Sequence, residues 1–89
     1  MKIYKHTFSE FEIGVPFDVV LPLGCRIFDV DFQNASIVMW YSSCAIQGYV
    51  GEAPRKFVWV FTGDEVSNIA TYIKTLQLTN GLVVHLFGV

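Results

Sequence analysis

Apolar and polar residues along this chain recur with a period of two. Residues 2–8 and 17–21, rich in aromatic and β-branched side chains, read as a first pair of strands joined by a segment containing Gly14 and Pro16. Pro22-Leu23-Gly24 marks a turn. From Cys25 to Phe32 the alternation is clean, placing Phe28, Val30 and Phe32 on one face and Asp29 and Asp31 on the other, the pattern of a half-buried strand. A polar reversal at Gln33-Asn34-Ala35-Ser36 leads into a further strand over residues 37–44. A symmetric hairpin here opposes Phe32 to Ile37, Val30 to Met39 and Phe28 to Tyr41 on a core face. Its other face carries Asp29 and Asp31 beside Val38 and Trp40, with Cys25 opposite Cys44.

Residues 45–55 contain two glycines and a proline and hold no period, so they read as the longest irregular stretch, where binding residues tend to sit. Strand character returns over 56–62. Phe57, Trp59 and Phe61 fall on one side and Val58 and Val60 on the other, which argues for a central strand or one covered by a neighbouring chain. Residues 64–70 are too short for an independent helix and read as one helical turn or an irregular crossover. Residues 72–78 and 82–87 form the last two strands. Asn80-Gly81 between them is the strongest hairpin signal, with a type I′ turn expected. The expectation is an all-β, mainly antiparallel fold of about seven short strands in a small sandwich or barrel, with at most one short helical turn.

Composition sharpens this picture. The chain has 89 residues, room for one domain over residues 1–89. Hydrophobic residues make up 53% and charged residues 16%, against about 25% charged in ordinary soluble domains. A small β domain cannot bury eight Phe, four Tyr and two Trp together with its Val and Ile, so apolar area is expected at the surface and with it a homo-oligomer or an obligate partner. No apolar run approaches the roughly 18 residues of a membrane helix, and residues 1–6 lack the pattern of a signal peptide, so a cytoplasmic protein without membrane association is expected. A net charge of −2 with six dispersed Lys and Arg lacks the footprint of a general nucleic-acid binder.

The ends of the chain carry a resemblance. Met1-Lys2-Ile3-Tyr4-Lys5, then Leu21-Pro22-Leu23-Gly24 with Ile27 and Val30, and finally Tyr72-Ile73-Lys74-Thr75-Leu76-Gln77-Leu78 with Gly81, Val83, His85 and Phe87, resemble a family of small phage and prophage β-proteins of unknown function. The pattern spans nearly the whole chain. It departs in the middle, where Trp40-Tyr41-Ser42-Ser43-Cys44 stands in place of a Trp-Ala-Leu-Val-Asp type of strand. The resemblance implies a bacteriophage origin and the cytoplasm of the infected bacterial host, and it brings no catalytic residues. By analogy, small phage accessory proteins inhibit host defence by capping an effector or sequestering a nucleotide signal, decorate virions or redirect host enzymes.

Chemistry-bearing residues are sparse. His6 and His85 lie far apart, and Cys25 and Cys44 lack zinc-ligand spacing, so neither a metal nor any other cofactor is expected. In a reducing cytosol the two cysteines read as buried thiols. Asp29 and Asp31 share a strand face but have no partner motif, and Ser42-Ser43 lacks the glycines of a nucleophile elbow, so no enzyme is expected. The best binding constellation is Tyr49, Arg55 and Lys56 with Trp59 shortly beyond. Arginine grips phosphate bidentately and an aromatic ring stacks a base, as a nucleotide pocket requires, whereas adjacent cations also commonly guard an apolar strand from aggregation. Trp40 completes the set of expected partner-binding residues. The functional expectation is a non-enzymatic phage protein that binds and inhibits a host protein, with a nucleotide sponge and a virion or assembly factor as alternatives.

Overall fold

A computed structural model describes residues 1–9, 11–43 and 51–89. It holds seven strands: β1 (Ile3–Thr7), β2 (Phe17–Pro22), β3 (Ile27–Gln33), β4 (Ser36–Ser42), β5 (Glu52–Phe61), β6 (Thr71–Gln77) and β7 (Val83–Gly88), with no helix among the described residues. These strands are hydrogen-bonded into two sheets, one of order β1-β4-β3 and one of order β2-β5-β7-β6. The all-β, mainly antiparallel expectation holds. The first two strands do not pair with each other, however, because β1 joins β4 and β2 joins β5.

Two compact units divide the chain, one from Met1–Ser9 with Val20–Arg55 and the other from Glu10–Val19 with Lys56–Val89. The first contains the whole three-stranded sheet. Its β3-β4 hairpin follows the expected register from Asp29↔Trp40 through Val30↔Met39 to Phe32↔Ile37 and Gln33↔Ser36. Asn34 and Ala35, at φ 50° and 66°, form the two-residue loop, the double positive φ that a type I′ connection demands. The register then shifts between Ile27 and Asp29, so Tyr41 opposes Ile27 rather than Phe28. Ser42 stabilises the far side of this bulge: its amide donates to the Arg26 carbonyl at 2.9 Å, and its buried Oγ accepts the Arg26 N–H at 2.8 Å. Of the three β3 residues expected on the core face only Val30 is fully buried, while Phe28 and Phe32 each keep 39% of their surface exposed. The bulge accounts for Phe28, since an extra residue re-aims its side chain. Leu21, Cys25, Val38 and Met39 complete this unit's core.

The second unit centres on β5 and β7. Phe57, Val58, Trp59 and Val60 are all buried, so both faces of β5 are covered, as expected of a central strand. Val19, Leu76, Val84 and Leu86 join them, and Trp59 and Phe57 meet the rings of Phe11 at 5.2 Å and Phe17 at 6.1 Å. β5 begins four residues earlier than its hydrophobic pattern suggests, because Glu52, Ala53, Pro54 and Arg55 belong to it and not to a loop. Proline lacks the ladder donor, but on the β7 side none is called for at Pro54, since β7 runs beside β5 only from Phe57 to Phe61. Residues 45–50 of the expected irregular stretch, like Cys44, lie outside the described residues.

The final hairpin forms where Asn80-Gly81 marks it, with a different turn. Gly81 has φ 87° whereas Asn80 has negative φ, and the Gly81 N–H donates to the Leu78 carbonyl at 2.9 Å. Leu78 and Leu82 are joined by a 2.7 Å bond, so the loop has three residues rather than two. That is a type I turn followed by a glycine bulge, for which Asn-Gly is equally well suited. Between β5 and β6 the chain passes over β7's position in the sheet by an irregular crossover, residues 62–70, with no helical turn.

Candidate functional site

Register decides which side chains of the second unit share a face. Residues directly opposite one another in an antiparallel pair project to the same side. Val58, Phe87 and Tyr72 therefore form one row across β5, β7 and β6, and Val60, His85 and Thr75 the next. In the first row the Tyr72 and Phe87 rings meet edge to face at 5.8 Å, and Tyr72, at the sheet edge, remains 57% exposed. The second row is polar toward the edge. His85 Nδ1 lies 2.8 Å from Thr75 Oγ1, His85 Nε2 lies 2.8 Å from Thr62 Oγ1, and Thr75 Oγ1 is also 2.8 Å from the Tyr72 hydroxyl. The imidazole is thus fixed at both nitrogens by neutral hydroxyl groups, as part of a chain running from Tyr72 to Thr62. Such bracketing sets the ring's orientation, since each nitrogen has a hydroxyl that serves as donor or acceptor for either tautomer.

The crossover approaches the same face of β5. Its entry is fixed by reciprocal bonds: the Phe61 amide donates to Asp64 Oδ2 at 2.8 Å and the Asp64 amide to the Phe61 carbonyl at 3.1 Å. Gly63 supplies the positive φ, 98°, that this reversal requires. Farther on, Ser67 holds the exit, its carbonyl accepting the Ala70 N–H at 3.0 Å and its Oγ the Ile69 N–H at 3.3 Å. A pocket of about 400 Å³ opens between the crossover and the strand. Val58 and Val60 form its floor, Gly14 and Val89 flank it, and Asp64, Glu65, Val66 and Ser67 line it from the crossover. Ile69, at the crossover's end, is 92% exposed.

The expected binding residues that are described have separate surroundings. Tyr49 lies outside the described residues. Arg55 Nη1 contacts Cys25 Sγ at 3.8 Å, whereas Lys56 Nζ forms a half-exposed ion pair with Asp18 at 3.1 Å. Trp59 is fully buried in the core. Trp40 is half-buried on β4, in register between Lys5 on β1 and Asp29 on β3, on the face where Lys5 Nζ also donates to Gln33 Oε1 at 2.8 Å. Asp29 and Asp31 each accept the amide of the following residue, at 2.8 and 2.7 Å. Burial, with smaller contributions from nearby Cys25, Glu52 and Tyr4, raises the Tyr41 hydroxyl above its ordinary range, so it stays protonated.

Sequence reasoning missed the two-row face and the pocket. Both depend on pairing between distant strands, and the crossover residues carry no periodic signal. Among the described residues, no group of three or more His, Cys, Asp or Glu is placed to hold a metal ion, and no helix is long and apolar enough to cross a membrane. No curated protein and no solved structure matches the chain. A family profile spans residues 1–89 in full, and the chain belongs to that family, the Domain of unknown function (DUF7352).

Proposed function

We propose that the protein is a non-enzymatic bacteriophage accessory protein that acts in the host cytoplasm by binding a host protein, such as a defence component. The observation that carries this reading is the apolar row of Val58, Phe87 and Tyr72, which runs out to the exposed edge of the sheet, with Ile69 projecting beside the start of β6. Exposed apolar and aromatic side chains of this kind mark interfaces, and Tyr is among the residues that dominate binding energy there. β6 itself is an edge strand, and its outer backbone groups offer a further means of docking. Self-association through the same edge is part of the proposal. The His85 chain favours binding over catalysis: two neutral hydroxyls hold the ring, whereas an acid-base histidine is typically steadied by a carboxylate. The phage assignment rests on the resemblance of the chain's two ends.

The test is affinity capture from lysate of a bacterial host, using the wild-type chain and Tyr72→Glu in parallel. Retention of one host protein by the wild type and its loss with Tyr72→Glu is the expected result. Capture that ignores the substitution, or none at all, contradicts the reading. Light scattering of the same two samples reports whether the edge also joins copies of the chain.

A further inference from the structure

The pocket under the crossover has a distinct chemical character. Its floor of Val58 and Val60 is apolar, and Val66 adds a third aliphatic side chain from the crossover. Two carboxylates, Asp64 and Glu65, stand on its lining, and among the described residues no lysine or arginine does. The cation nearest along β5, Lys56, is engaged by Asp18. Asp64 is held in place through Oδ2 by the Phe61 amide, so the negative charge has a fixed position at the pocket.

A group that satisfies this lining needs aliphatic length to cover the valines and a positive end to meet the carboxylates. Resting on the partner-binding reading above, we propose that the pocket receives an arginine side chain of the partner protein. Arginine fits better than lysine, because its guanidinium is less strongly hydrated, pairs with carboxylates through a planar fork, and is enriched at the energetic centres of interfaces. The chain's net charge of −2 favours approach of a basic surface. A volume of about 400 Å³ falls within the range of about 300–1,000 Å³ usual for ligand sites.

The probe is Nα-acetyl-arginine N-methylamide, titrated into the ¹⁵N-labelled chain, with the citrulline analogue as neutral isostere. Saturable amide shifts at Val58, Val60 and residues 64–67, at least about five-fold weaker for citrulline, are expected for a charge-dependent site. Asp64→Asn with Glu65→Gln should weaken the arginine probe by a similar factor. The asparagine can still accept the Phe61 amide, and unchanged shift dispersion elsewhere verifies the fold. Equal binding of citrulline, or no saturable shift at these amides, overturns the proposal. The partner arm uses Tyr72, which lies across the sheet from the pocket. A host protein captured through Tyr72 but indifferent to the double substitution overturns the arginine assignment and leaves the partner reading standing. Charge-selective probe binding with no protein captured overturns the partner as source and marks a site for small organic cations.

Discussion

Arg55 and Lys56 are neighbours in sequence yet project to opposite faces of β5, one toward Cys25 Sγ at 3.8 Å and the other into an ion pair with Asp18 at 3.1 Å. Strand alternation is the cause. As loop residues the two cations would close on one phosphate together, but on a strand they serve separate surroundings.

Nucleotides and cyclic dinucleotides are therefore expected to leave the melting temperature unchanged in a thermal-shift panel. A ligand that binds only the folded chain raises it as its concentration exceeds Kd. Stabilisation by any nucleotide, abolished by Arg55→Ala, contradicts this prediction and supports the nucleotide-sponge alternative.

The β3-β4 loop holds a removable strain. Ala35 sits at φ 66°, a left-handed conformation that costs a side-chain-bearing L-residue roughly 1–2 kcal/mol and glycine little. Part of that gain is lost because glycine frees the unfolded chain. Ala35→Gly should stabilise the protein by about 0.5–1 kcal/mol, read as a higher urea midpoint. A lowered midpoint contradicts the positive-φ turn.

The two tryptophans should differ sharply. Trp59 is fully buried, so Trp59→Ala is expected to cost about 3–5 kcal/mol, whereas half-buried Trp40 should cost less. Acrylamide quenching separates them without unfolding. Fluorescence of Trp40→Phe, which retains only Trp59, should resist quenching, and that of Trp59→Phe should not. Similar quenching in both variants contradicts the assigned core.

Much of this architecture was legible from alternation alone. Each strand appears in the sequence as a short period-two run, and both faces of residues 57–60 being apolar placed β5 in the centre of its sheet. Punctuation residues concealed the rest. Pro54, with glycines before it, made the start of β5 resemble a loop, although a proline ahead of the β7 ladder costs no bond on that side. The bulge at Phe28 carries no glycine to announce it, and it turned an expected core residue outward. Asn80-Gly81 located a hairpin correctly, but loop length selected the turn type. The candidate face was illegible for a different reason. Val58, Phe87 and Tyr72 are brought together by register, and register between distant strands is a property of the folded chain.

Protonation of His6 should weaken the fold. Burial holds its pKa below the ordinary 6.5, so the unfolded chain binds the proton more readily. The neutral ring's contribution is fully present above pH 6.5 and is lost as pH falls through the folded-state pKa. The effect is small because the ring is only partly buried, beside Phe8 at 5.1 Å. Proton NMR of the His6 ring should give a midpoint below 6.5, and His6→Gln should flatten the stability profile on the acid side. A midpoint above 6.5 contradicts the prediction.

On the proposed function, the Tyr72 edge and its neighbouring crossover meet a protein partner. A photo-crosslinking amino acid at exposed Ile69, compared in living bacterial host cells with one at Asn34 in the β3-β4 loop, captures such a contact where it forms. The expected result is a discrete host-protein adduct from position 69 that is absent from position 34 and disappears with Tyr72→Glu. No adduct at position 69, or the same adducts from both positions, contradicts it.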